Sequence, residues 1–179
     1  MVFQQILTPI SDFIIILIAL YATRQIVINR KQLHLSTINY CISNFRSLNG
    51  LDQNCTDKIV LSQYLDLVNE ELFYFQHKYL PNEISNEWID GMIDFLPITN
   101  SKSEVLNENF CIKYLSEYRE EMFKNYPRIK HAFELEGNHN YDVALLYNNS
   151  KEFRKARIVE RKVLIAEVLA NIKSFDGFS

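Results

Sequence analysis

Four carboxylates, Glu83, Glu87, Asp90 and Asp94, are spaced by four, three and four residues. On a helix they fall along one face. Such a stripe could hold a cation or a basic partner. The ordinary alternatives are a solvated face, or one that pairs with a basic segment of the same chain. A basic segment exists near the C-terminus, where Lys151, Arg154, Lys155, Arg157, Arg161 and Lys162 stand against only Glu152 and Glu160. Arg154, Arg157 and Arg161 are its candidate binding residues. Three destinations compete for it: an anionic membrane surface, an acidic partner or nucleic acid, and the chain's own acidic helices. The segregation of charge within one small domain favours the last.

A second acidic pair, Glu70 and Glu71, sits in the run Asn69-Glu70-Glu71-Leu72-Phe73-Tyr74. Neighbouring carboxyls can do acid–base chemistry when burial separates their pKa values. Otherwise one of them turns inward and bonds a tyrosine or an arginine. With Trp88 and the nearby tyrosines, Glu70 and Glu71 define a candidate pocket for a ligand sensor or an enzyme.

The remaining chemistry-bearing residues form no motif. His34, His77, His131 and His139 are scattered, and none pairs with another at a metal-ligand spacing. The one Glu-x-x-His spacing, Glu136 to His139, encloses Gly137 and Asn138, a poor helix in which to build a di-iron type site. Cys41, Cys55 and Cys111 are odd in number and lack metal spacing, which reads as free thiols in a reducing compartment. Cys41 and Cys111 fit apolar stripes as small core residues. Four glycines in isolation make no phosphate loop. No catalytic residue, metal or cofactor is predicted.

Helices must position these groups. Gly and Pro number four each in 179 residues, which disfavours disorder and turn-rich β folds. The first helix is built on the apolar run Phe13 to Ala22. Thr8 is its expected N-cap and Pro9 its first residue. The segment from Ile6 to Thr23 would then extend about 27 Å, close to a bilayer's hydrocarbon thickness. It is apolar on all sides, unlike a surface helix. No basic residue precedes the run, as a signal peptide would require. No Lys or Arg lies on the N-terminal side, while Arg24, Arg30 and Lys31 follow. The positive-inside rule therefore places the C-terminal side in the cytoplasm.

The helical pattern continues through Leu35, Ile38, Ile42, Phe45 and Leu48 to a stop at Asn49-Gly50. A second helix is expected from Thr56 to Leu80, on the seam Leu61, Leu65, Val68, Leu72, Phe75 and Tyr79. A third starts with Ser85 as its cap and ends at Leu96, before Pro97, with Trp88, Met92 and Phe95 on one side. A fourth runs from Ser103 to Asn125 on Cys111, Leu115, Tyr118 and Met122. Pro127 opens a short helix through Phe133, and residues 137–150 read as loop. A last helix covers Lys151 to Phe175, with Phe153, Val159, Val163, Ala166 and Ala170 as its seam, flanked by Leu164 and Leu169.

The predicted fold is thus all-α: residues 1–24 form a membrane anchor, and its helix continues into a cytoplasmic bundle of about five helices over residues 25–179. A net charge of −3 gives no reason to expect nucleic-acid binding.

The stretch from Tyr64 to Phe75, followed by Pro81, Ile84, Trp88, Gly91 and Met92, resembles uncharacterised bacterial proteins with one N-terminal membrane helix and a small helical cytoplasmic domain. The likeness covers residues 13–97. It implies the architecture and no activity.

These readings lead to a membrane-tethered interaction or scaffold module, not clearly an enzyme. It would sit single-pass in the inner (cytoplasmic) membrane through residues 6–23, with its N-terminus outside. Its partner would be another protein or a second copy of the chain. Two alternatives remain open: a ligand sensor or enzyme using Glu70, Glu71 and Trp88, and a small membrane-active effector or defence-system component.

Overall fold

The computed structural model describes the backbone of residues 2–135 and 141–176, with side chains described from Phe13 onward. Contacts divide the chain into two units, Met1–Tyr40 and Cys41–Ser179. The fold is all-α as expected, with eight helices and two very short strands among the described residues.

The first unit belongs to α1 (Val2–Ser47). Its apolar residues have no cover. From Phe13 to Tyr21 the large side chains are 49–65% exposed, and no residue from Phe13 to Tyr40 is buried. Among the described residues this is the one helix long and apolar enough to cross a membrane. Thr8 and Pro9 do not open the helix, which already runs from Val2. Helix propagation is cooperative, so a proline with helix formers on both sides can be carried at the loss of a backbone bond. At the other end, Gly50 adopts φ +81°, the left-handed stop expected at Asn49-Gly50.

In the second unit, α2 (Lys58–Gln76) begins on Asp57, whose carboxylate accepts from the Ile59 N–H at 2.9 Å. Asp57, not Thr56, caps the helix. Its buried face carries Leu61, Leu65, Val68, Leu72 and Phe75, as the spacing predicted. Tyr79 lies beyond the helix and is exposed. The chain turns at Lys78, where φ is positive. Next, α3 (Asn82–Ile93) starts three residues before the expected cap. Ser85 is instead buried within the helix and donates to the Pro81 carbonyl.

The predicted helix over 103–125 does not form as one piece. Strand β1 (Thr99–Asn100) pairs in parallel with β2 (Glu134–Leu135). Helix resumes only at α4 (Lys113–Glu117) and α5 (Arg119–Asn125). Two asparagines fix the non-helical course of the chain here, because their side chains bond backbone groups on either side of β1. Asn100 Oδ1 accepts from the Lys102 and Glu104 N–H groups at 2.9 and 3.0 Å. Asn107, fully buried, accepts from Ile98 N–H at 2.8 Å and donates to the Leu96 carbonyl at 3.0 Å and the Tyr147 hydroxyl at 2.9 Å.

Helix α6 (Pro127–Phe133) opens on its proline as expected. The presumed loop over 137–150 includes a short helix, α7 (Val143–Leu146). Helix α8 (Arg154–Ser174) packs against α2, α3, α6 and α7. It buries Leu164, Ile165, Val168 and Ile172, while Phe153, Val159 and Val163 of the predicted seam are 44%, 61% and 40% exposed. The helix is rotated from the predicted face, an orientation in which Arg161 points at α3.

Candidate functional site

Two features of the second unit bring together the residues singled out from the sequence. The smaller is a slot of about 210 Å³ lined from the end of α1, from α2 and from α3. Residues Ile42, Phe45 and Arg46 come from α1, Tyr64 and Glu71 from α2, Glu87, Trp88, Gly91 and Met92 from α3, and Phe95 from just beyond its end. The slot is mostly apolar and aromatic. The rings of Tyr64 and Phe95 meet edge-on at 5.9 Å, and Trp88 is backed by Phe75 at 6.1 Å. Gly91 lines it at an open position, where a Cβ would meet nothing within 4 Å.

Two polar groups in this lining have no partner among the described residues. Glu71 is 8% exposed and makes no hydrogen bond or ion pair with a described residue. Burial, reinforced by the charge of Glu70, pushes its carboxyl up to about 8, so at neutral pH it is largely protonated. The Tyr64 hydroxyl is buried and has no hydrogen-bond partner among the described residues. Burial, with Glu71 and Asp94 nearby, raises it well above the ordinary phenol value. Behind them, Cys41 is fully buried. Burial first, then Glu71 and Glu70, push its thiol up to about 12. It is therefore a neutral core residue and no nucleophile.

Of the predicted pocket residues, the structure brings Glu71 and Trp88 together and leaves Glu70 out. Glu70 is half-buried and accepts a hydrogen bond from the Tyr74 hydroxyl one turn later. Sequence reasoning missed Tyr64. It precedes Glu71 by seven residues, two helical turns, so their shared face was legible in the spacing.

The larger feature is an open groove of about 980 Å³ between α3 and α8. Here the acidic stripe meets the basic helix. Arg161 donates from Nε to Asp90 Oδ1 at 2.5 Å and from Nη1 to Asp94 Oδ1 at 2.9 Å. It also reaches the backbone carbonyls of Asp90 at 2.5 Å and Leu146 at 3.4 Å. Its guanidinium lies 5.8 Å from the centre of the Tyr147 ring. Burial opposes its charge, but the bonds to Asp94 and Asp90 outweigh burial and hold its pKa above the usual value. Its donors are committed to this packing.

Arg157 is half-buried and bonds the Asn149 side chain, and Arg154 is exposed at the start of α8. The three arginines therefore do not form one site. Among the described residues, no group of three His, Cys, Asp or Glu could hold a metal ion. The Glu136–His139 spacing lies outside the described residues.

The slot offers a neutral carboxyl and a phenol hydroxyl, and neither is an activated nucleophile. Comparison with family models, curated proteins and solved structures finds no match to this chain.

Proposed function

We propose that this chain is a single-pass, membrane-tethered helical module that acts by binding and not by catalysis. Residues 6–23 would lie in the bilayer with the N-terminus outside, and residues 25–179 would lie on the cytoplasmic side of the inner membrane. The observation that carries this reading is the uncovered apolar surface of α1 from Phe13 to Tyr21. Leaving that surface in water costs about 25 cal/mol for each Å², whereas lipid removes the cost and the helix satisfies its own backbone. Arg24, Arg30 and Lys31 supply the orientation.

Fractionation tests the tether. The full chain should stay with membranes through an alkaline carbonate wash and leave them only in detergent. A chain lacking residues 1–24 should appear in the soluble fraction. Release of the full chain by carbonate alone overturns the reading.

A second reading, a ligand sensor, is favoured by the slot that joins Glu71 to Trp88. The tether would then hold a sensing domain at the membrane surface.

A further inference from the structure

We propose that the slot between α1, α2 and α3 binds a small, free organic ammonium ion, its cationic head set against the Glu71 carboxyl and the Tyr64 hydroxyl and among the rings of Phe45, Trp88 and Phe95. The proposal rests on the ligand-sensor reading and names the class of ligand.

The argument is one of complementarity. A purely apolar occupant would leave the Tyr64 hydroxyl as unpaired as it is in the empty slot and would desolvate the Glu71 carboxyl further without offering it a partner, a cost that binding would not relieve. An anion would meet the charge of Glu87, with Glu70 close behind Glu71, against the single positive charge of Arg46. A cation meets none of these objections. It supplies Glu71 with a counter-charge in a site of low dielectric. Aromatic rings, four of which line the slot, attract ammonium groups through their negative faces. Any hydroxyl or N–H on the ligand can pair with Tyr64.

Binding then carries a proton balance. Glu71 is mostly protonated when the slot is empty, so each ammonium ion that binds sends one proton from Glu71 to solvent and leaves a carboxylate–ammonium pair. Affinity should therefore rise with pH up to the carboxyl's own value of about 8. The other charged or titratable groups facing Glu71 are Cys41 and Arg46 from α1, Tyr64 and Glu70 from α2, and Glu87 from α3. Burial keeps Cys41 and Tyr64 neutral throughout. Arg46 and Glu87 offset each other at the lining.

Trp88 is the one tryptophan in the chain, so its fluorescence reports on the slot directly. The full chain in maltoside micelles would be titrated with choline and with choline's neutral isostere, in which carbon replaces the nitrogen. Choline should change the Trp88 emission saturably, with the isostere at least tenfold weaker. Choline affinity should rise about tenfold or more between pH 6 and pH 9. Gly91→Leu, which fills the slot from an open position on α3, should abolish the response while the far-ultraviolet spectrum stays native. Glu71→Gln, of the same shape, should weaken choline about tenfold and remove its pH dependence.

An isostere that binds as tightly as choline, or a choline affinity that is flat with pH, overturns the ammonium assignment and leaves the ligand-sensor reading standing. A Trp88 emission that neither compound changes also overturns the assignment. If acrylamide then fails to quench Trp88, the slot is closed and the ligand-sensor reading falls with it.

Discussion

Asp90 on α3, Asp94 at the cap that ends α3 and Glu71 on α2 are carboxylates of neighbouring helices, yet the fold treats them in opposite ways. Asp90 and Asp94 each keep about half of their side chain in water, at 47% exposure, and both face the Arg161 guanidinium. Their charge is compensated, and the three residues fasten α8 to α3. Glu71 is 8% exposed and makes no ion pair with a described residue. It answers burial by keeping its proton. The contrast teaches that an acidic residue's role is set by what desolvates it and what pairs with it. A compensated cluster is structural, whereas an uncompensated one is open to a ligand.

The sharpest test of this contrast is Glu71→Gln. The folded-state pKa of Glu71 lies above its ordinary value of 4.5, so the folded chain holds this proton more tightly than the unfolded chain does. The stability tied to that proton is fully present below about pH 4.5 and is lost as pH rises to about 8. The glutamine variant does not titrate. Thermal melts should show it close to wild type at about pH 4, and more stable by on the order of 3 kcal/mol at about pH 9. A gap between the two chains that stays constant with pH would show that Glu71 is solvated or paired, and the contrast with Asp90 would collapse.

Arg161→Met breaks the other side. It keeps most of the side chain's bulk but removes the counter-charge from Asp90 and Asp94 and the donors to two carbonyls. Those carboxylates are half solvated, so the loss is discounted from that of a fully buried pair to about 2 kcal/mol in denaturant unfolding. Raised salt should narrow the difference only slightly, because the Arg161 side chain is 12% exposed. The smallest effect belongs to Tyr64→Phe. Removing a buried hydroxyl that has no partner among the described residues should raise stability by up to about 1 kcal/mol, read as an upward shift in Tm. A loss instead would mean that the hydroxyl has a partner in solution, such as a bound water.

Much of the fold was legible along the chain because periodicity records burial directly. Leu61, Leu65, Val68, Leu72 and Phe75 form the buried face of α2 as their spacing requires. Pro127 opens α6, and Gly50 ends α1's run with a positive φ. Where the reading failed, the cause was a side chain acting across sequence distance. Nothing local in the stretch after Pro97 announces that Asn107 will bond Ile98, Leu96 and Tyr147, yet that hub sits where turns and bends stand in place of the first half of a predicted helix. Likewise, α8 has enough apolar residues to bury either of two faces. The face with Leu164 and Val168 is buried, and in that orientation Arg161 reaches Asp90 and Asp94.

The sequence by itself determined the helical class, the uncovered apolar character of α1 and the pairing of opposite charges, because composition and a period of 3.6 residues act locally. It placed Glu71 and Trp88 among the residues to watch. Only the tertiary structure decided that Glu71 joins Trp88 and Tyr64 while Glu70 turns to Tyr74, and that Arg161 parts company with Arg154 and Arg157. Adjacent residues on a helix point in directions about 100° apart, and which of them is buried depends on where the next helix lies.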